Sequence, residues 1–407
     1  MARTISSVRI AEPNDNKDKL GPRILKVETR HGASFETPTK PITNRELFSR
    51  SNAPQIRGIM PGDMAIVPQY VLGKIFEKYQ ECNGTVNKIY DKVSQYSESV
   101  SFLYNVPTLQ IEPIMPDKPI AVLTLARQAD ISSLSGVCMP LLDTDYEGFR
   151  RTLSQWSNYA EDHDKDCIPQ IAMDEPLPLF RKKLALIEEL SKAGEIKMVD
   201  FVYRDYNKYS LQFAEVWAKR SNIEAIMHCS AIPKDSGSLC NYMSKSSRYD
   251  LTILGFDTTS VKRNHPGYFP DTITPGGKEQ ITGYSWSNVL TETNINGNYW
   301  EVMEHESLYC DCPVCRRKSQ DEIIERFAYN TEGDVEASSM NTISVLHDHY
   351  SSSKEMKAIR KAVLKGEIKD HADSVNDNRS RFQKEVKIGN IRNYPDGKKA
   401  DEAEKDI

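Results

Sequence analysis

Short runs of apolar and β-branched residues punctuate the middle of the chain, at Met64–Val67, Ile120–Leu125, Gly136–Leu142, Ile168–Met173, Met198–Tyr203, Ile223–Cys229 and Leu251–Phe256. They are strand-sized and show no strict polar alternation, as expected of strands buried on both faces. Several are followed by helical spacing. Leu179–Ala193 places Leu184, Ile187 and Leu190 at i, i+3 and i+6, and Leu211–Lys219 carries Phe213, Val216 and Trp217. Strands that alternate with helices predict βα units and a parallel sheet. The expected fold class is α/β, a closed (β/α)8 TIM-like barrel whose reactive groups gather at the C-terminal ends of its strands. Asp143, Asp174 and Asp257 each stand at the end of such a run. An Asp there has two readings, a cap for the next helix or a group in the barrel mouth.

The two ends of the chain read differently. Residues 1–20 are polar and aperiodic, which predicts a flexible N-terminal arm before a barrel spanning 21–300. Residues 370–407 are rich in Asp, Lys, Asn and Glu and predict a charged tail. Gly276–Trp300 reads as an inserted loop or hairpin. At 407 residues, 39% hydrophobic and 27% charged, the chain can bury a large core and is not disordered overall. No apolar run approaches the roughly 18 residues of a membrane helix. The N-terminus also lacks an apolar signal region, so the expected location is cytoplasmic, or the host cytoplasm if the source is viral. A formal net charge of −5 means that any nucleic-acid binding must come from a local basic patch.

The eight cysteines do not read as a disulfide framework in such a chain. Three of them are crowded into YCDCPVCRRK, where Cys310, Cys312 and Cys315 form C-x-C-x-x-C around Pro313. Three thiolates so spaced can converge on one ion through a tight turn, and zinc needs a fourth soft or borderline ligand. His347 and His349 flank Asp348 downstream and offer that ligand. These residues predict a closed, structural Zn2+ site, in a small zinc-binding subdomain with its closing helix over 301–369.

This element, with its distant histidine, resembles the zinc site of the tRNA-guanine transglycosylase family. The segment HDHYSSSKEMKAIRKAVLKGEI is similar to that family's histidine-led terminal helix, which singles out His347 as the fourth ligand. Upstream, His31-Gly32 with Phe35-Glu36-Thr37-Pro38 resembles the family's HG-x-x-ETP opening, with one extra residue, and DMAIVPQYVL over 63–72 its first barrel strand. Phe256-Asp257 with Arg263-Asn264 resembles FD-x-x-x-x-x-RN, whose Asp is the nucleophile. Asp174-Glu175-Pro176-Leu177-Pro178 resembles DE-x-x-P, whose Asp recognises the purine-like base. Val202-Tyr203-Arg204-Asp205 resembles VY-x-D. The family's DSGGFQ motif, source of its second catalytic Asp, is absent. Asp130 or Asp143 is the expected stand-in as acid/base, although neither sits in the motif.

The resemblance implies exchange of guanine for a free 7-deazaguanine base in a polynucleotide. Asp257 would form a covalent ester with the sugar, and Asp174 would bind the flipped-out base. Phosphate contacts are expected from Arg263, Arg316, Arg317, Lys357, Arg360 and Lys361. With neither DSGGFQ nor an archaeal-type RNA-binding domain, the chain is most similar to the phage-type branch that modifies DNA, with tRNA as the alternative substrate. Pairing through the zinc region, as a homodimer, is a further expectation. A non-catalytic zinc-bearing paralogue subunit and a zinc-bearing nucleic-acid-binding module are the competing classes.

Overall fold

The computed structural model describes residues 4–12, 21–41, 134–139, 144–205, 208–232, 251–261 and 337–374, with Ala129, Leu141 and the isolated strands 64–71, 104–111, 238–240, 243–245, 286–287 and 293–295. The chain opens with an antiparallel sheet of β1 (Ile5–Glu12), β2 (Ile24–Thr29) and β3 (Ser34–Glu36). Residues 5–12 are a paired strand and not the flexible arm expected over 1–20; residues 1–3 and 13–20 lie outside the described residues. Register irregularities between Ile5 and Ser7 and between Ile10 and Glu12 break the alternation that would have announced it.

Parallel strands follow in chain order. β4 (Met64–Val71) pairs with β5 (Tyr104–Ile111), β5 lies beside β6 (Gly136–Cys138), and β6 pairs with β7 (Asp166–Ile168). Pro169, with no N–H to offer the ladder, separates β7 from β8 (Gln170–Ala172). β8 pairs with β9 (Met198–Val202), and β9 with β10 (Ile226–Ile232). After β11 (Ser238–Cys240) and β12 (Met243–Lys245) comes β13 (Thr258–Val261), which pairs in parallel with β10. β14 (Trp286–Ser287) and β15 (Thr293–Ile295) form an antiparallel pair inside the stretch expected to be a hairpin, and β15 also pairs with β12.

The helices cover one face of these strands. α1 (Tyr146–Asp162) starts where the Asp145 carboxylate accepts the Gly148 N–H at 2.8 Å, and it buries Phe149, Leu153, Trp156 and Ala160 at helical spacing. α2 (Leu177–Lys192) has Pro178 in its first turn, where no N–H is needed, and buries Phe180, Leu184 and Ile187. α3 (Ser210–Lys219) buries Phe213 and Val216. Those side chains pack against Ile171, Val199, Phe201, Met227 and Cys229. Alternation along a strand then turns Gln170, Asp200, His228 and Thr258 to the opposite, inner face, and these four stand in register across β8, β9, β10 and β13. Below them Ile168, Met198 and Ile226 pack against Ile5, Leu25, Val27 and Phe35, so the N-terminal sheet closes the N-terminal ends of the parallel strands.

The run Leu251–Phe256 is a short helical turn and not a strand. Gly255 (φ 107°) ends it, with its N–H donated to Thr252 O at 2.9 Å and that of Phe256 to Leu251 O at 3.1 Å. The strand begins after Asp257. At the far end α4 (Ala337–Lys365) buries Met356, Ile359 and Ala362 together with Ile368. The chain is helical again over 368–374, with Ala372 buried, so the expected boundary between 369 and 370 falls inside a packed segment.

Candidate functional site at the inner face and strand ends

Asp174 lies two residues beyond β8, at the C-terminal end of the parallel strands. It is exposed and accepts the Arg204 Nε–H at 3.0 Å. Arg204, just beyond β9, also donates from Nη1 to Tyr203 O at 3.0 Å. The neighbouring Glu175 turns the other way, towards the helices. Its Oε1 accepts from Lys183 Nζ at 2.8 Å, and that ammonium lies 4.7 Å from the Phe149 ring centre. Burial pushes the Glu175 carboxyl up, against the opposing pull of Lys183. At the C-terminal end of β10, Ala231 adopts a left-handed backbone (φ 58°) beside a register irregularity, a conformation costing about 1–3 kcal/mol for a non-glycine residue.

The inner row beneath these ends is polar. Asp200 is fully buried at 0% exposure; its Oδ2 accepts from Gln170 Nε2 at 2.6 Å and from Ser230 Oγ at 3.0 Å, while its Oδ1 meets no partner among the described residues. Burial raises its pKa to about 7, with hydrogen bonds from Gln170 and from the side chain and backbone of Ser230 pulling against it. His228 sits between Thr258 Oγ1 at 2.8 Å and Ser260 Oγ at 2.9 Å, and burial lowers its pKa to about 3. Leu141, Ala172 and Val202 form a small apolar cluster towards the strand ends, with Ala231 packed against it. Neither Asp200 nor His228 belongs to a motif singled out in the sequence. Their only signal was a polar residue inside an apolar run.

Asp257 occupies the opposite end. It precedes β13, so it stands at the N-terminal edge of the sheet, under the antiparallel cover, and is 2% exposed. Oδ1 accepts from Arg23 Nε at 3.3 Å and Thr37 Oγ1 at 3.0 Å; Oδ2 accepts from Arg23 Nη2 at 2.8 Å and Met227 N at 2.8 Å. Arg23 is equally occupied, with its remaining donors on the carbonyls of Arg220, Ile223 and Ala225. A carboxylate whose lone pairs are all engaged, behind a packed sheet, has no free oxygen to attack a sugar. The expected placement of Asp257 in the barrel mouth is corrected accordingly, because Leu251–Phe256 is a turn and the strand starts after the Asp.

Of the expected basic contacts, Lys357 and Lys361 are exposed on α4, in one stripe with Lys354 and Lys365. Arg360 faces inward instead and donates from Nη1 to Pro38 O at 2.5 Å and Glu36 O at 3.3 Å. His347 falls within α4. Asp130, Asp143, Arg263, Cys310, Cys312, Cys315, Arg316 and Arg317 lie outside the described residues. Among the described residues no cluster of three or more His, Cys, Asp or Glu could hold a metal ion, and no helix is long and apolar enough to cross a membrane.

No family model matches the chain, and no curated protein matches it. Among solved structures, it is similar to the tryptophan synthase α-subunit of Pyrococcus furiosus at 11% identity and a TM-score of 0.33, over 55% of this chain and 87% of that one. A protein of Aquifex aeolicus VF5 is similar at 12% identity and a TM-score of 0.34, over 55% and 83%. Similarities this slight say nothing of function. The class defined by the described residues is an α/β protein of parallel βα units.

Proposed function

We propose that the chain is a transglycosylase that exchanges guanine for a 7-deazaguanine derivative in DNA, on a closed (β/α)8 barrel with a zinc-bearing subdomain. The observation that carries the reading is Asp174. The residue that resembles the family's base-recognising Asp stands open at the C-terminal end of a parallel strand, held by Arg204. A carboxylate there can accept ring N–H groups of a flipped-out guanine.

The attacking group in this reading comes from the strand ends, where Asp205 lies near the base-binding Asp174, and not from Asp257. A carboxylate oxygen bonds to C1′ as the C1′–N9 bond breaks and its electron pair leaves with guanine. N9 of the incoming base then forms the new bond and expels the carboxylate. Cys310, Cys312, Cys315 and His347 offer three thiolates and an imidazole, a donor set suited to a closed Zn2+ site that fixes the fold without entering the chemistry. Lys354, Lys357, Lys361 and Lys365 supply a cationic stripe for phosphates.

The test incubates the protein with guanine-labelled duplex DNA and, separately, tRNA, adds a 7-deazaguanine, and measures label release. Peptide mapping of any trapped adduct then locates the attacking residue. Release from DNA, with an adduct at a residue other than Asp257, is expected. Release from tRNA alone moves the substrate to tRNA. An adduct on Asp257 overturns the reassignment of the nucleophile. A second reading, a non-catalytic paralogue subunit, draws on the locked Arg23–Asp257 pair and predicts release from neither polymer.

A further inference from the structure

Exchange of one purine-like base for another needs a group that gives a proton to the departing ring and takes one from the arriving ring. The motif that resembles a source of this group is missing, and the expected stand-ins Asp130 and Asp143 lie outside the described residues. The inner face holds another carboxyl. Asp200 Oδ2 already accepts two hydrogens, from Gln170 and Ser230, so a proton on this group belongs on Oδ1. That oxygen is buried with no partner among the described residues, on the same inner face as Ala172 and Val202, which lead to the strand ends.

The surroundings leave Asp200 as the group that changes state near neutrality. Across β10, His228 is held neutral by burial and Ser230 is uncharged; across β8 stands the Gln170 amide, and on β13 Thr258 and Ser260. Cys229 alternates to the helix-covered face, and burial keeps its thiol protonated. The Lys40 ammonium acts on His228 and is bonded to Pro41 O at 2.7 Å.

We infer that Asp200, through Oδ1, is the acid/base of the base exchange, an assignment that rests on the transglycosylase reading. In the first half-reaction guanine leaves with the electron pair of the C1′–N9 bond and receives the Oδ1 proton, leaving Asp200 ionised. In the second, ionised Asp200 takes the N9 proton of the incoming base as N9 bonds to C1′, so the carboxyl is regenerated. Reaching Oδ1 requires the ring to displace the Leu141–Ala172–Val202 cluster, which is apolar and suits a flat aromatic face.

The experiment compares full-length wild-type protein, Asp200→Asn and Ser230→Ala in base exchange across pH, with infrared difference spectra of the same proteins. Asp200→Asn is expected to lower kcat by about 100-fold or more with KM nearly unchanged, and to lose a protonated-carboxyl band that wild type shows at about pH 6. Ser230→Ala removes a hydrogen bond that lowers the Asp200 pKa, so its rate profile and its carboxyl band are both expected to shift to higher pH. If Asp200→Asn does not fold, the Ser230→Ala shift decides. Unchanged kcat in Asp200→Asn, or an unmoved profile in Ser230→Ala, overturns the role of Asp200 while leaving the transglycosylase reading standing. No exchange by wild type on either polymer overturns the transglycosylase reading, and this role with it.

Discussion

Two aspartates are buried at one sheet, and their carboxyl oxygens are satisfied to different degrees. Asp257, at the N-terminal edge, has four donors on its two oxygens and an arginine with every N–H engaged. Asp200, on the inner row, has two donors on one oxygen and none on the other among the described residues, and it titrates near neutrality. Full satisfaction staples the N-terminal sheet to the parallel strands through the Arg23–Asp257 pair. Half satisfaction makes a carboxyl that can exchange a proton. Asp257 stands at the N-terminal edge, where parallel βα folds keep stability, and Asp200 at the middle of β9, beneath the C-terminal strand ends.

The largest effects are expected at the staple. Asp257→Ala leaves the Arg23 guanidinium buried without its counter-ion and is expected to cost about 3–5 kcal/mol in urea unfolding. Arg23→Met should cost a similar amount, and the double variant less than the sum of the two, because the second change removes a group already stranded. If Asp257→Ala unfolds at the wild-type midpoint yet loses base exchange, the residue is not a staple and the division fails.

At Asp200 the sign reverses. Its folded pKa is about 7, above the ordinary Asp range, so the folded chain binds this proton more tightly than the unfolded chain. The stability this contributes is complete in acid and is lost as pH rises to about 7. Asp200→Asn has no such loss. Relative to wild type it should gain on the order of 1–4 kcal/mol between about pH 5 and pH 8 in denaturant unfolding. A stability difference that stays flat with pH would show that Asp200 is ionised throughout, and the contrast with Asp257 would vanish. A variant that is more stable at high pH but slower at exchange would be the trade expected of a strained functional group.

Much of the fold is legible from spacing alone. The runs starting at 136, 168 and 198 contain the strands 136–138, 170–172 and 198–202, and the period of α2 and α3 is visible in Leu184, Ile187, Phe213 and Val216. The site is less legible, and one residue shows why. Leu251–Phe256 is a short apolar run, and without periodicity such a run reads equally as strand or helix. Gly255 carried the deciding signal as a helix terminator, and misplacing the strand by one element moved Asp257 from one end of the sheet to the other. Asp200 carries no local signal, because a single polar letter inside an apolar run forms no pattern. Its neighbours Gln170 and Ser230 come from other strands and meet it only through register.

The smallest effects separate neighbours on α4. Arg360 ties the helix to the end of β3 and the residues after it through the Glu36 and Pro38 carbonyls, so Arg360→Ala should cost about 1–3 kcal/mol of stability. Lys357 and Lys361 stand in the exposed stripe, and their alanine variants should stay within about 0.5 kcal/mol of wild type. If the chain binds duplex DNA as proposed, the same residues are expected to sort in the opposite order. Each phosphate deprived of its cation lowers the slope of log affinity against log salt by about 0.9, so Lys357→Ala with Lys361→Ala should flatten it by about 2, and Arg360→Ala should leave it unchanged. A salt slope that responds to Arg360 and ignores the two lysines would place the phosphates on the inner side of α4, against the first strands, and would remove the exposed stripe from the nucleic-acid surface.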